Sequence, residues 1–122
     1  MSESQVVGVD VAKKDFAVAC RRGAVEIELG KFDNNAEGFA LLQEALAGVC
    51  KQLGLSQIQL ILEATGGYEA ALMVYAYEQK WWVSLPNPKQ VRDWAKGVGY
   101  RVKTDRVDAR ILAHYGVERQ PP

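Results

Sequence analysis

The stretch Val6-Val7-Gly8-Val9-Asp10-Val11 decides the fold of this chain. Its β-branched apolar residues are typical of a central strand that is buried on both faces of a sheet. One carboxylate, Asp10, interrupts the run near its end. Because a buried charge is costly unless it has a partner or a metal ion, this residue is a functional candidate.

Two further strands follow directly. Residues 16–20 are apolar and predict a second strand, reached through a polar Lys13-Lys14 turn. Residues 25–29 alternate apolar and acidic side chains with a period of two, which predicts a half-exposed third strand. The three strands therefore form an antiparallel meander.

A helix comes next. Asn34 and Glu37 have the spacing of a capping box, and Gly54 is the expected end of the helix. The apolar face of this helix repeats at helical spacing, with Phe39, Leu42, Leu46, Val49 and Leu53.

The second half of the chain alternates strands and helices. Strands are predicted at 58–62 and 81–85, and helices at 68–79, 88–96 and 105–115, with Thr104 as the cap of the last one. Right-handed crossovers make strands four and five parallel to strand one. The prediction is an α/β, ribonuclease H-like (resolvase-like) fold: a mixed five-stranded sheet of order 3-2-1-4-5 with helices on both faces.

Composition indicates one ordinary globular domain over residues 1–122, with 48% hydrophobic and 25% charged residues. The longest apolar run has eight residues, against ~20 for a membrane span. The N-terminus lacks the pattern of a signal peptide, and Cys20 and Cys50 lie in apolar patterns typical of buried thiols. We therefore expect a cytoplasmic protein with no membrane partner.

The charges are divided unevenly along the chain. Residues 1–79 carry six basic and eleven acidic side chains, whereas residues 80–122 carry nine basic and four acidic ones. A local basic face of this kind accompanies nucleic-acid binding, because it releases the counterions of phosphates. A solvated basic helix face is the alternative interpretation.

Four carboxylates stand out. Asp10 and Glu63 end neighbouring strands of the predicted sheet, and Asp105 and Asp108 are three apart at the start of the last predicted helix, on one face. Carboxylates without His or Cys suit Mg²⁺ or Mn²⁺. Two such ions can activate an attacking oxygen and stabilise a leaving one on a phosphodiester.

Four short motifs, in this order, carry a resemblance to a known family. They are Gly8-Val9-Asp10-Val11-Ala12-Lys13, Glu63-Ala64-Thr65-Gly66-Gly67-Tyr68, Asn87-Pro88-Lys89 and Lys103-Thr104-Asp105-Arg106-Val107-Asp108-Ala109. The chain resembles the N-terminal domain of the DEDD transposases, the Piv/MooV-type recombinase family of bacterial insertion sequences.

The resemblance implies a catalytic, metal-binding tetrad of Asp10, Glu63, Asp105 and Asp108, and Mg²⁺-dependent cutting and joining of DNA. It also implies a structured guide RNA as a partner, and we expect the full-length protein to be a homo-oligomer. Members of the family have a C-terminal domain with a serine implicated in strand exchange. This sequence stops before it, so we expect an isolated or truncated domain that is inactive in complete recombination.

The basic residues beside these acids are candidate phosphate contacts. They are Lys13, Lys89, Arg92, Lys96, Arg101, Lys103, Arg106 and Arg110. Arg106 and Arg110 are four apart, which predicts that they share one side of the last helix. For Lys13, a solvated turn residue is the alternative.

Two tryptophans and one histidine are further candidates for a functional role. Trp81-Trp82 lies in a strand, so one ring is expected in the core and the other outside. His114, the single histidine, is more often a surface or core residue than a metal ligand. The alternative functions are a stand-alone Holliday-junction resolvase-like nuclease, an actin-like or sugar-kinase-like phosphotransferase, and a non-catalytic nucleic-acid-binding module.

Overall fold

The computed structural model describes residues 4–63, 66–101 and 107–121, and in these ranges the chain forms five strands and four helices. The strands are β1 (Ser4–Val11), β2 (Asp15–Arg22), β3 (Val25–Asp33), β4 (Gln57–Leu62) and β5 (Trp82–Ser84). The helices are α1 (Ala36–Leu53), α2 (Ala70–Glu78), α3 (Pro88–Gly97) and α4 (Ala109–Arg119).

The strands form one mixed sheet in the order β3-β2-β1-β4-β5. β1 pairs with β2, and β2 with β3, in antiparallel fashion, whereas the β1–β4 and β4–β5 pairs are parallel. This confirms the predicted strand order and is consistent with a ribonuclease H-like fold. Within the described ranges, none of the helices combines the length and apolar character needed to cross a bilayer.

Helices cover both faces of the sheet, as predicted, and each face has its own hydrophobic core. On one face Val7, Val9 and Val11 of β1 pack in a cluster with residues of α1 and α2, such as Leu42 and Leu72. The other face carries a second cluster, in which α3 and α4 cover β1 and β4; its buried members are Val6, Ile61, Val91, Ala95, Val107, Ile111, Leu112 and Tyr115.

The start of α1 differs from the prediction by one residue. Asn35, not Asn34, is the N-cap, and its side chain accepts a hydrogen bond from the Gly38 amide. The Asn34 amide instead donates to the carbonyls of Ala12 and Tyr68, which ties the helix entry to two neighbouring loops. The predicted Asn34–Glu37 capping box is therefore wrong, while Gly54 ends α1 in the left-handed conformation as expected.

The start of α4 is also later than predicted. The helix begins at Ala109, and Asp108 is its N-cap, with extended backbone and a side chain that accepts from the Ile111 amide at 3.0 Å. Because Val107 and Asp108 are not helical, a helix running from Asp105 is wrong. Thr104 and Asp105 lie outside the described residues. At its other end α4 continues past Tyr115 to Arg119.

The tryptophan and cysteine side chains are placed as predicted. Trp81 packs against the first core and Trp82 is 59% exposed. Cys20 and Cys50 are buried free thiols, and burial raises the pKa of Cys20 to about 12. The helix predicted at 68–79 is observed as α2 over Ala70–Glu78, and its buried residues are Leu72 and Ala76.

Candidate active site

The two strand-borne candidates, Asp10 and Glu63, lie side by side. β1 and β4 are parallel with Val9 opposite Leu62, so the same register continued by one residue sets Asp10 opposite Glu63. Neighbouring strands are about 4.8 Å apart. Val9 and Leu62 face the first core, so the following residues face the other side of the sheet, where α4 lies. Glu63 is buried there, and Asp10 is half-buried.

Gly8 brings α4 to the same place. A Cβ at Gly8 would lie 2.0 Å from the Ala109 carbonyl oxygen and 2.5 Å from the Ala113 amide nitrogen, both of them backbone atoms. Only glycine allows the first turn of α4 to rest directly on β1 at this position. The crossing point is two residues before Asp10, so the N-terminus of α4 lies near the strand ends that carry Asp10 and Glu63.

Asp108 occupies that N-terminus with both of its carboxylate oxygens engaged. Oδ1 accepts from the Ile111 amide at 3.0 Å, and Oδ2 lies 3.6 Å from the Arg110 guanidinium. The Asp108 side chain is 50% exposed. The sheet and α4 thus bring three of the four predicted acids to one edge of the sheet.

The donor set fits a hard cation in its chemistry, since it consists of carboxylate oxygens. Among the described residues, no three His, Cys, Asp or Glu side chains are close enough to hold a metal ion together. Asp105 and its neighbours at 102–106 lie outside the described residues. The complete tetrad, and its role, therefore stay a prediction.

The predicted basic residues are spread over several elements. Lys13 is exposed in the β1–β2 turn, Lys96 and Arg101 are exposed at the end of α3 and beyond, and Arg92 is half-buried on α3. Lys89 forms an ion pair with Asp93 at 3.0 Å. Lys103 and Arg106 lie outside the described residues.

Arg110 differs from the other basic residues, because acidic side chains surround it. Its guanidinium lies 3.8 Å from Glu26, 3.6 Å from Glu28 and 3.6 Å from Asp108. The predicted pairing of Arg106 with Arg110 on one side of a helix is wrong, since α4 begins at Ala109. Gly8 was not among the predicted site residues, although a glycine inside a buried strand is a signal of close backbone approach.

His114 lies on α4, six residues after Asp108. The Tyr100 hydroxyl and Nδ1 of His114 share a hydrogen bond of 2.6 Å, the Trp94 ring packs edge-on at 4.9 Å, and Nε2 lies 3.6 Å from Glu118. Burial, with a smaller contribution from Arg21, lowers the pKa of His114 below its usual 6.5.

This shift predicts a pH dependence of stability. Because the folded-state pKa of His114 is lower than the unfolded-state value, the unfolded chain binds the proton more tightly. The contribution is fully present above pH 6.5 and is lost as the pH falls from 6.5 through the folded pKa. Urea unfolding at pH 7.5 and at about pH 5.5 should show a larger loss of stability in the wild type than in His114→Gln. Equal losses would contradict this assignment.

Comparison with known proteins decides the family. The model of a transposase family, the DEDD transposases of the IS110 type, matches residues 7–122. The chain belongs to this family. Two curated relatives, the pilin gene-inverting proteins of Moraxella lacunata and Moraxella bovis, are each 36% identical over 116 residues, or 95% of this chain. The chain spans 35% of the length of these relatives.

Proposed function

We propose that this chain is the metal-dependent nuclease domain of a DNA transposase or site-specific recombinase. Its proposed reaction is the cleavage and joining of phosphodiesters. The acidic tetrad would consist of Asp10, Glu63, Asp105 and Asp108, and the cofactor would be two ions of Mg²⁺ or Mn²⁺. A structured guide RNA and a homo-oligomer of the full-length protein remain expectations from the resemblance.

One observation carries the proposal: α4 rests on Gly8, so the helix start that bears Asp108 lies at the edge where β1 and β4 end. Three carboxylates from distant parts of the sequence are carried toward the carboxyl ends of the parallel strands, the usual binding edge of α/β sheets. Like charges at one edge repel one another, which destabilises the fold. A purely structural role would therefore not favour acids from three elements at this edge.

The protein's own residues have defined tasks in this proposal. Asp10, on β1, and Glu63, the residue after β4, would serve as a pair of oxygen donors from neighbouring parallel strands. Asp108 is fixed by its helix cap and supplies a donor from the other side. Bound divalent ions would polarise the phosphodiester and stabilise the charge that develops on the leaving oxygen. The exposed basic residues would hold the DNA backbone in register.

A cleavage assay tests this function. The enzyme is a full-length family protein that contains this domain. It is incubated with Mg²⁺ or Mn²⁺ and with a DNA substrate, either a duplex that carries an element end or a supercoiled plasmid. We expect strand cleavage that requires the metal and is lost in Glu63→Gln. The 122-residue chain alone should not join ends. Full activity of Glu63→Gln would refute the assigned tetrad.

The basic residues predict a steep salt dependence of nucleic-acid binding. Exposed Lys96 and Arg101 should each release about one counterion on contact with phosphate. Changing both to Ala should therefore flatten the slope of log K against log salt by up to about two units. The matched control changes Lys31 and Lys51, two exposed cations on β3 and α1, and should leave the slope unchanged. Identical slopes for the two double variants would assign Lys96 and Arg101 to ordinary solvation.

A further inference from the structure

Helix α2 has a second apolar side that faces away from the sheet. Its buried residues, Leu72 and Ala76, belong to the first core. The outer side consists of four apolar residues at helical spacing, here called the α2 stripe: Ala70, Met73, Val74 and Tyr77. Val74 is 61% exposed and Tyr77 is 81% exposed.

The α2 stripe lines an open groove of about 570 Å³, and the remaining lining residue is Glu78. A surface helix normally has a polar outer face. In α2, however, every residue before Glu78 is hydrophobic. Exposed apolar surfaces of this kind mark sites of interaction. Because the stripe carries no cation, its composition favours a protein over a nucleic-acid backbone as the partner.

The order of residues in the α2 stripe is complementary to itself. In an interface with two-fold symmetry, each residue faces the residue at the same distance on the other side of the axis. With the axis between Met73 and Val74, Tyr77 of one copy faces Ala70 of the other, since each lies three residues from the central pair. Met73 of one copy then faces Val74 of the other. The largest side chain therefore packs on the smallest one in an antiparallel helix pair.

The charges at the two ends of α2 favour the same antiparallel arrangement. Glu78 ends the helix and is followed by the exposed Lys80. At the other end the N-cap residue is Glu69, whose side chain accepts from the Gly67 amide at 3.2 Å. An antiparallel pair brings Lys80 of one copy toward Glu69 of the other, and Glu78 toward the positive end of the other helix dipole. A parallel pair would place the two copies of Glu78 side by side.

We propose that the α2 stripe is a homodimer interface, covered by the α2 stripe of a second copy of this chain in antiparallel orientation. Stable interfaces cover about 800 Å² on each partner, and about two turns of one helix provide less than that. The chain on its own should therefore form a weak dimer that is populated only at high concentration. This proposal gives the expected homo-oligomer a location and is independent of the metal site.

Sedimentation equilibrium from about 10 μM to about 1 mM protein measures the association. We expect the average mass of the wild type to rise from 13.5 kDa toward twice that value. Val74→Lys places two like charges next to the axis and should weaken association at least about tenfold. The control is Val98→Lys, the same change at an exposed valine that follows α3, and it should associate as the wild type does.

Cross-linking identifies the partner surface. A short bis-maleimide reagent should join two copies of Val74→Cys, because this position lies next to the axis, but not two copies of Val98→Cys. The native Cys20 and Cys50 are buried in both variants. Equal cross-linking of the two variants would overturn the proposal, as would a Val74→Lys variant that associates like the wild type. A wild type that stays monomeric would also overturn it, and would leave the α2 stripe to another segment of the full-length protein.

A further readout separates this inference from the proposed function. The Mn²⁺-dependent rise in melting temperature should be the same in Val74→Lys as in the wild type, because the substitution lies outside the proposed tetrad. Loss of the dimer with this rise intact would leave the metal site standing, and a dimer without any rise would leave the interface standing. The two proposals therefore fail independently.

Discussion

A Gly8→Ala variant should lose about 3 kcal/mol or more of stability, at the upper end of the cost of overpacking a core. The added methyl would lie 2.0 Å from the Ala109 oxygen and 2.5 Å from the Ala113 nitrogen. Both atoms belong to the backbone of α4, so no side chain can rotate away and the helix itself must move. Urea unfolding of the two proteins measures the difference.

The matched control is Gly48→Ala on α1. Apart from the backbone of its own helix and its chain neighbours, no atom lies within 4 Å of a Cβ at Gly48, and a position inside a helix favours alanine by about 1 kcal/mol. We therefore expect the same substitution to stabilise the protein at Gly48 and to destabilise it at Gly8. A Gly8→Ala variant as stable as the wild type would show that α4 does not rest on β1 as described.

Asp10→Asn should abolish the DNA cleavage proposed for the full-length protein, with a loss of at least about 100-fold. The amide keeps the size of the side chain but removes the negative charge that a divalent cation requires. For the chain itself, millimolar Mn²⁺ should raise the melting temperature of the wild type, because a ligand of the folded state stabilises it. Asp10→Asn should lose most of that increase.

Asp15→Asn is the control for Asp10→Asn. Asp15 begins β2, across the same hairpin turn, and is half-buried like Asp10. It lies outside the proposed tetrad, so its variant should keep both cleavage and the Mn²⁺-dependent rise in melting temperature. Equal losses in the two variants would point to general damage to the hairpin.

The sheet was predictable because the order of its strands follows from patterns that are local in sequence. The β-branched run at 6–11 identifies the central strand, and the handedness of crossovers then places β4 and β5. The period of two over 25–29 likewise identifies β3 as a strand. The identity of each strand depends on residues that are neighbours in sequence, and the strand order depends on the right-handedness that crossover connections share in general.

Helix starts were less predictable, because several residues could serve as a cap. Asn34 and Asn35 are both good N-caps, as are Thr104, Asp105 and Asp108. Tertiary contacts decide between them. Asn34 bonds to two loops, which leaves Asn35 to cap α1, and α4 starts at Ala109, the residue that packs on Gly8.

The surroundings of Arg110 could not be inferred from the sequence, since they depend on how α4 lies across β1 and β2, which lets the Arg110 side chain reach β3. Sequence spacing paired Arg110 with Arg106, whereas the structure sets it among Glu26, Glu28 and Asp108. Charge runs therefore identified a basic region but could not distinguish a phosphate contact from the partner of a carboxylate.

The central claim is a divalent-metal site built from carboxylates at the shared edge of β1, β4 and α4. Anomalous diffraction from crystals of the chain soaked in MnCl₂ tests it most directly. We predict a manganese peak bound by Asp10 and by at least one of Glu63, Asp105 and Asp108, and no such peak in Asp10→Asn crystals. Wild-type crystals with that edge open to solvent but no peak there, or with manganese bound only elsewhere, would contradict the account.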